Sequence, residues 1–260
     1  MITANRRVLP DVVIVGAQRA GTTSCFRYLT QHPQLVKPIR KEIHYFDRRE
    51  NFAKGESWYR AHFPTSRKLD SLAREDSKRR FAIEATPEYM FVDYVPTRMA
   101  ALIPDAKLIC VLRNPVDRAL SNWKLKGKWG GQFGPFEVEI EQEFRSLQSR
   151  TGPLDGNRPS GLLARGRYAE QLERLYEHYP RERVYVAHSE SLYRDTNVFC
   201  RSVFEFLKLP PIAVDAGEIY NQSSDRLGMD PDVRARLQDY FAPHNERLFE
   251  LLGRDYGWND

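Results

Sequence analysis

The residues best suited to chemistry lie near the N-terminus, in the run Val12-Val-Ile-Val-Gly16-Ala-Gln-Arg19-Ala20-Gly21-Thr22-Thr23-Ser24. Its β-branched start reads as a strand buried on both faces, ending at Gly16. Gly16 and Gly21 allow a tight turn, and a helix is expected from Thr22 to about His32, stopped by Pro33. Its first N–H groups and partial positive charge then converge with the loop amides on one spot, which makes an anion site. The glycine spacing matches a Walker A loop, but Thr22 and Thr23 stand where such a loop carries Lys and then Ser or Thr. The cation of the loop is Arg19, two positions before the second glycine. A second apolar run, Leu108 to Leu112, ends in Arg113, where a Walker B acid would be sought. The loop therefore reads as built for an anion bound without a metal; a glycine turn with no ligand is the blander alternative.

The elements that position these residues follow from periodicity. Leu108 to Leu112 is strand-like, and Pro115 sits at a favoured first-turn position of the helix after it. Phe81 to Glu84 and Val184 to Ala187 read as shorter strands. Arg165 to His178 and Pro231 to Leu252 read as amphipathic helices, the latter with Val233, Leu237, Tyr240 and Phe241 on one face. Alternating strands and helices predict an α/β, P-loop-type three-layer fold, with a central mostly parallel sheet flanked by helices. Residues 1–260 are expected to form a single domain, with about 127–161, rich in Gly, Pro, Gln and Ser, as a mobile surface excursion.

Composition narrows the classes. The 260 residues are 41% hydrophobic and 12% aromatic, far too apolar for a disordered chain. The apolar runs are of strand length, so no membrane span is expected. Cys25, Cys110 and Cys200 form no C-x-x-C pair and read as buried free thiols. The apolar run near the N-terminus is too short for a signal-peptide core, so a cytoplasmic location is expected. The net charge of +5 is mild, and the cluster Lys78-Arg79-Arg80 reads as a solvated face.

The loop Gly16-Ala-Gln-Arg19-Ala20-Gly21-Thr22-Thr23 resembles the 5′-phosphosulfate loop of sulfotransferases that use 3′-phosphoadenosine 5′-phosphosulfate (PAPS). Val111-Leu-Arg113-Asn-Pro115-Val-Asp-Arg118-Ala-Leu-Ser121 resembles their 3′-phosphate motif, in which the strand-end arginine and the helix serine hold that phosphate. Between them, Lys41-Glu42-Ile43-His44-Tyr45-Phe46-Asp47 is similar to a segment of heparan sulfate 3-O- and N-sulfotransferases and their bacterial relatives, whose glutamate is the catalytic base. The likeness continues through Glu84-Ala-Thr86-Pro87-Glu-Tyr89 and Asn245 to Gly253, in the family's order. Two departures stand out. Arg19 replaces the usual lysine, which keeps an electrostatic role but not an easily released proton. The family's late Lys-Gly-Arg loop corresponds to Ser223-Ser224-Asp225-Arg226, where Arg226 alone matches.

The resemblance implies a sulfotransferase, with PAPS as donor, no metal, and a hydroxyl or amine of a saccharide, lipid or small metabolite as acceptor. The implied donor-binding set is Arg19, Ala20, Gly21, Thr22, Thr23, Ser24, Arg113, Ser121 and Arg226. Loose in-line transfer depends on cations and N–H groups at the departing phosphate, a role for Arg19 and the loop amides. Glu42 is the expected general base, His44 the alternative base or an orienting donor, and Asp47 an orienting group. Arg118 reads either as a further phosphate contact or as a partner of Asp117 or another acidic neighbour. Trp123, Trp129, Phe133 and Phe136 form either an acceptor-facing wall or core packing, and Trp58 and Tyr59 carry the same ambiguity. A P-loop kinase or NTPase is the alternative enzyme; a non-catalytic binder of anionic glycan or nucleic acid is the alternative outside enzymes, and the near-balanced charge speaks against such a binder, with no nucleic-acid partner expected. The expectation of no signal peptide or membrane anchor fits a bacterial cytosolic enzyme.

Overall fold

The computed structural model describes residues 6–128, 134–148, 161–217 and 228–259. The first half runs Val12–Gly16 (β1), Thr22–Leu29 (α1), Leu35–Val36 (β2), Arg49–Phe52 (α2), Gly55–Arg60 (α3), Ser66–Asp76 (α4), Phe81–Ala85 (β3), Val95–Leu102 (α5) and Lys107–Leu112 (β4). The second half runs Pro115–Lys128 (α6), Phe136–Gln148 (α7), Tyr168–Tyr176 (α8), Val184–His188 (β5), Ser189–Arg194 (α9), Thr196–Leu207 (α10) and Pro231–Leu252 (α11).

The strands form one sheet in the order β2-β3-β1-β4-β5, every pairing parallel. Both faces are covered, which is why β1 and β4 read as unbroken apolar runs. Val13, Val15, Leu108, Cys110 and Leu112 face one layer, packed under α3, α5, α8 and α11. Val12, Ile14, Ile109 and Val111 face the other, packed under α1, α9 and α10. A third cluster joins α6, α7 and α11 through Val116, Leu120, Phe136, Ile140, Leu237 and Phe241. The expected three-layer α/β fold is the one observed, and all three cysteines are buried and free.

Three local differences have physical causes. The helix expected from Arg165 begins at Tyr168, because the chain first makes a 3-10 turn over Ala164–Gly166. A Cβ on Gly166 would lie 2.6 Å from the Phe241 ring and 2.8 Å from Pro115, so this turn is set by tertiary contact. The stretch expected as a surface excursion contains α7, with Phe136 and Ile140 buried one turn apart; residues 129–133 and 149–160 lie outside the described residues. The basic cluster is only partly a solvated face, since Arg80 is buried and pairs with Asp76 at 2.9 Å. Among the described residues no helix is long and apolar enough to cross a membrane.

Candidate active site

The carboxyl ends of β3, β1 and β4 lie side by side, and parallel neighbours are spaced about 5 Å apart. Ligands of such sheets bind at that edge. One part of the site lies at each of the three strand ends.

From β1 comes the glycine loop. Gly21 caps α1 in the left-handed region (φ 88°) with no side chain closing the helix end, which leaves the first amides of α1 as donors. Arg19 is also left-handed, at φ 72°, an unfavourable conformation for a side chain of its length. A Cβ on Gly21 would meet the Tyr193 hydroxyl at 2.7 Å, so glycine is required both by the turn and by this close approach.

From β4 comes Arg113, whose Nη1 donates to the Arg19 carbonyl at 3.3 Å. The Tyr168 hydroxyl donates to the Arg113 carbonyl at 2.9 Å and steadies the strand end. Ser121, on α6, is buried, and its Oγ accepts a hydrogen bond from Arg19 Nε at 3.0 Å. Arg19, Arg113 and Ser121 therefore converge, although Arg19 and Ser121 are 102 positions apart in the chain. Arg118 is not the partner of Asp117. It is fully buried with Nη2 donating to the Leu162 carbonyl, and Asp117 pairs instead with Arg234 at 2.9 Å. Burial lowers the Arg118 pKa to about 10.

Against the end of β3 sits the third part, residues 41–47 of the connection between β2 and α2. The Glu42 N–H donates to the Ala85 carbonyl at 3.1 Å, which seats the 41–47 segment beside the loop. Glu42 and His44 are both left-handed, with φ 61° and 55°. Their side chains form a relay: His44 Nε2 lies 3.7 Å from Glu42 Oε2, and His44 Nδ1 lies 2.7 Å from Asp47 Oδ2. Lys41 Nζ adds an ion pair to Glu42 at 2.5 Å. Asp47 is 4% exposed and Glu42 45%, so the relay runs from a buried anchor to a solvent-facing carboxylate.

Electrostatics assigns opposite charges to the two central groups. The His44 ring, 3.7 Å away, is the main cause that lowers the Glu42 pKa to about 2, against a desolvation effect of opposite sign. For His44, desolvation favours the neutral ring, but the hydrogen bond to Asp47 and the nearby Glu42 carboxylate outweigh it and raise the pKa to about 9. At neutral pH Glu42 is thus a carboxylate and His44 an imidazolium.

The remaining candidates separate clearly. Thr22 and Ser24 are buried at the first turn of α1, and Ala20 is buried in the loop. Arg226, Trp129 and Phe133 lie outside the described residues. Trp123 Nε1 donates to the Gly134 carbonyl at 3.0 Å and its ring meets Phe136 edge-on, as core packing. Tyr59 is buried in the core, while Trp58 is half-buried under Lys54, whose Nζ lies 4.6 Å from its ring centre. Among the described residues no group of three His, Cys, Asp or Glu is placed to hold a metal ion. Sequence reasoning missed Tyr193, which shares a hydrogen bond with Ser24 and lies near enough to Arg113 and Arg19 to feel their charge. The available signal was its position just past β5, at the ligand-binding edge of the sheet.

Comparison with known proteins places the chain in a family. Residues 9–224 match the family described as Sulfotransferase domain. Human heparan sulfate glucosamine 3-O-sulfotransferase 6 is 30% identical over 277 residues, covering 97% of this chain and 75% of the relative. Mouse heparan sulfate glucosamine 3-O-sulfotransferase 5 is 27% identical, covering 96% of this chain and 74% of its own length. A crystal structure of a sulfotransferase from Alicyclobacillus acidocaldarius superposes with a TM-score of 0.74 at 30% identity, covering 97% of this chain and 100% of that one.

Proposed function

The chain belongs to the sulfotransferase domain family, and on that premise we propose that it moves a sulfuryl group from PAPS to a hydroxyl or amine of a saccharide, lipid or small-metabolite acceptor. A saccharide hydroxyl is the first acceptor to test, because the relatives at 27–30% identity are named for the 3-O position of heparan sulfate glucosamine. The observation that carries the proposal is the Glu42–His44–Asp47 relay at the end of β3, one strand away from the glycine loop of β1.

The residues present suit such a donor. When bound, it supplies a sulfuryl group on a phosphate leaving group. Arg113 and Ser121 would hold its 3′-phosphate, and the amides of Gly21, Thr22 and Thr23 its 5′-phosphate. Arg19 bridges the two halves: its backbone carbonyl is fixed by Arg113 and its side chain by Ser121. Fixed donors at a developing negative charge need no reorganisation during reaction, which is where electrostatic catalysis gains most. A guanidinium also stays charged throughout, so Arg19 acts by charge and not as a proton donor.

Proton transfer falls to the relay. His44 already carries its proton well above neutrality, which favours Glu42 as the group that accepts one. A carboxylate held this low is a weak base. It takes the acceptor proton only as the new O–S bond makes that hydroxyl acidic, and His44 meanwhile keeps its oxygen oriented. The test is transfer of labelled sulfuryl from PAPS to heparan sulfate oligosaccharides, to lipid hydroxyls and to small alcohols, with Glu42→Gln beside the parent. Labelled product from the parent, lowered about 10²–10⁴-fold in Glu42→Gln, is expected. Equal rates from the two proteins would remove Glu42 as the base, and γ-phosphoryl transfer from magnesium ATP in place of sulfuryl transfer would favour a kinase.

A further inference from the structure

Glu84 is an acid in an otherwise apolar strand, Phe81-Ala-Ile-Glu84-Ala85, and it is fully buried. A buried carboxylate is costly unless several donors satisfy it, and an apolar residue of similar size is often at least as stable. Three hydroxyls surround this one: Tyr59 donates to Oε2, Thr86 Oγ1 donates to Oε1 at 2.8 Å, and Tyr89 donates to Oε1 at 2.9 Å. Desolvation raises the Glu84 pKa to about 7 even so. The use of this group is visible one bond further on.

The Tyr89 oxygen also accepts the Tyr45 N–H at 3.0 Å. A phenol has one proton, and because that proton is committed to Glu84 the lone pairs are left facing Tyr45. The order Tyr45 N–H, Tyr89 O–H, Glu84 Oε1 thus has a direction, and the acceptor oxygen of Glu84 sets it. A second link runs through Tyr59, whose ring stacks on Tyr45 at 4.5 Å between centroids and 10° between planes. Tyr45 follows His44 directly, and His44 and Glu42 both hold left-handed conformations, which are unfavourable for their side chains. Such a segment relaxes unless its surroundings over-determine it.

We infer that Glu84 is a positioning residue for the Glu42–His44–Asp47 relay: acting through Tyr89 and Tyr59, it pins Tyr45 and so keeps His44 between the two carboxylates. The inference rests on the relay being the proton-handling part of the transfer site. Its readout, however, requires neither donor nor acceptor. His44 owes its retained proton to that position, so its titration reports the geometry directly.

The experiment is a histidine NMR titration of the full chain from about pH 5 to 10, with the His44 signal assigned by its loss in His44→Asn. Glu84→Gln, Tyr89→Phe and the double variant are compared with the parent. Tyr89→Phe keeps the ring packed against Phe46 and removes only the hydroxyl, so it tests the link even where Glu84→Gln folds poorly. Each single variant is expected to lower the His44 pKa by about one unit or more, towards the ordinary value of about 6.5. The double variant should add little, because both substitutions cut one chain of bonds. An unchanged His44 titration in both single variants overturns the inference, as does a double variant whose shift is the sum of the two. A failed transfer assay with normal His44 shifts would instead count against the catalytic reading alone.

Discussion

At the scale of the residue, Glu42 and His44 hold opposite charges across an unusually wide pH span, from about 2 to about 9. The sign of the coupled stability follows from that. The lowered Glu42 pKa contributes stability that is present above its ordinary value of 4.5 and is lost as pH falls towards about 2. The raised His44 pKa contributes stability that is present below its ordinary value of 6.5 and is lost as pH rises through about 9. The gap in melting temperature between the parent and His44→Ala should therefore be widest between about pH 5 and 6 and should shrink towards pH 9. A gap that grows above pH 8 would contradict the charged relay. Much of this part of the site was legible in the sequence, because Glu42, His44 and Asp47 are close neighbours in the chain. Their charges were not, since which group holds the proton depends on distances that spacing alone does not supply.

Elements show where tertiary contact takes over from local pattern. Helix α11 was readable end to end, with Asp230 capping Asp232 and Val233, Pro231 in the first turn and Gly253 in a left-handed cap. β1 and β4 were readable because strands covered on both faces are apolar throughout. β2, two residues long, carried no periodicity to detect. The start of α8 was misplaced because Gly166 turns for the sake of Phe241 and Pro115, which lie far away in sequence. Two glycines then separate packing from function. Gly166→Ala should cost about 1–3 kcal/mol by overpacking against Phe241, yet leave nucleotide affinity unchanged. Gly21→Ala should cost a similar amount through its positive φ and the Tyr193 contact, and should also weaken nucleotide binding tenfold or more. Denaturant melts and calorimetric titration on both variants check this, and equal nucleotide affinities would remove the glycine loop from the binding site.

For the whole molecule, two helix layers share the strands of one sheet, so neither layer has a core independent of the other. We propose a single domain on that basis. Its unfolding should be one cooperative transition seen alike by fluorescence and circular dichroism, and two separated transitions would contradict it. The global arrangement also explains what the sequence could not disclose about the anion site. Arg19 and Ser121 belong to motifs far apart in the chain, and only the β1–β4 pairing brings them to 3.0 Å. The central claim is that this convergence binds a 3′-phosphorylated adenosine nucleotide. The most direct measurement is calorimetric titration of the parent and Arg113→Ala with adenosine 3′,5′-bisphosphate, adenosine 5′-phosphate and magnesium ATP, each ligand with and without chelator. The account predicts bisphosphate binding that survives the chelator and weakens tenfold or more in Arg113→Ala, while the 5′-phosphate, which lacks the 3′ group, loses far less. Tighter binding of magnesium ATP, or equal losses for both nucleotides in Arg113→Ala, would contradict it.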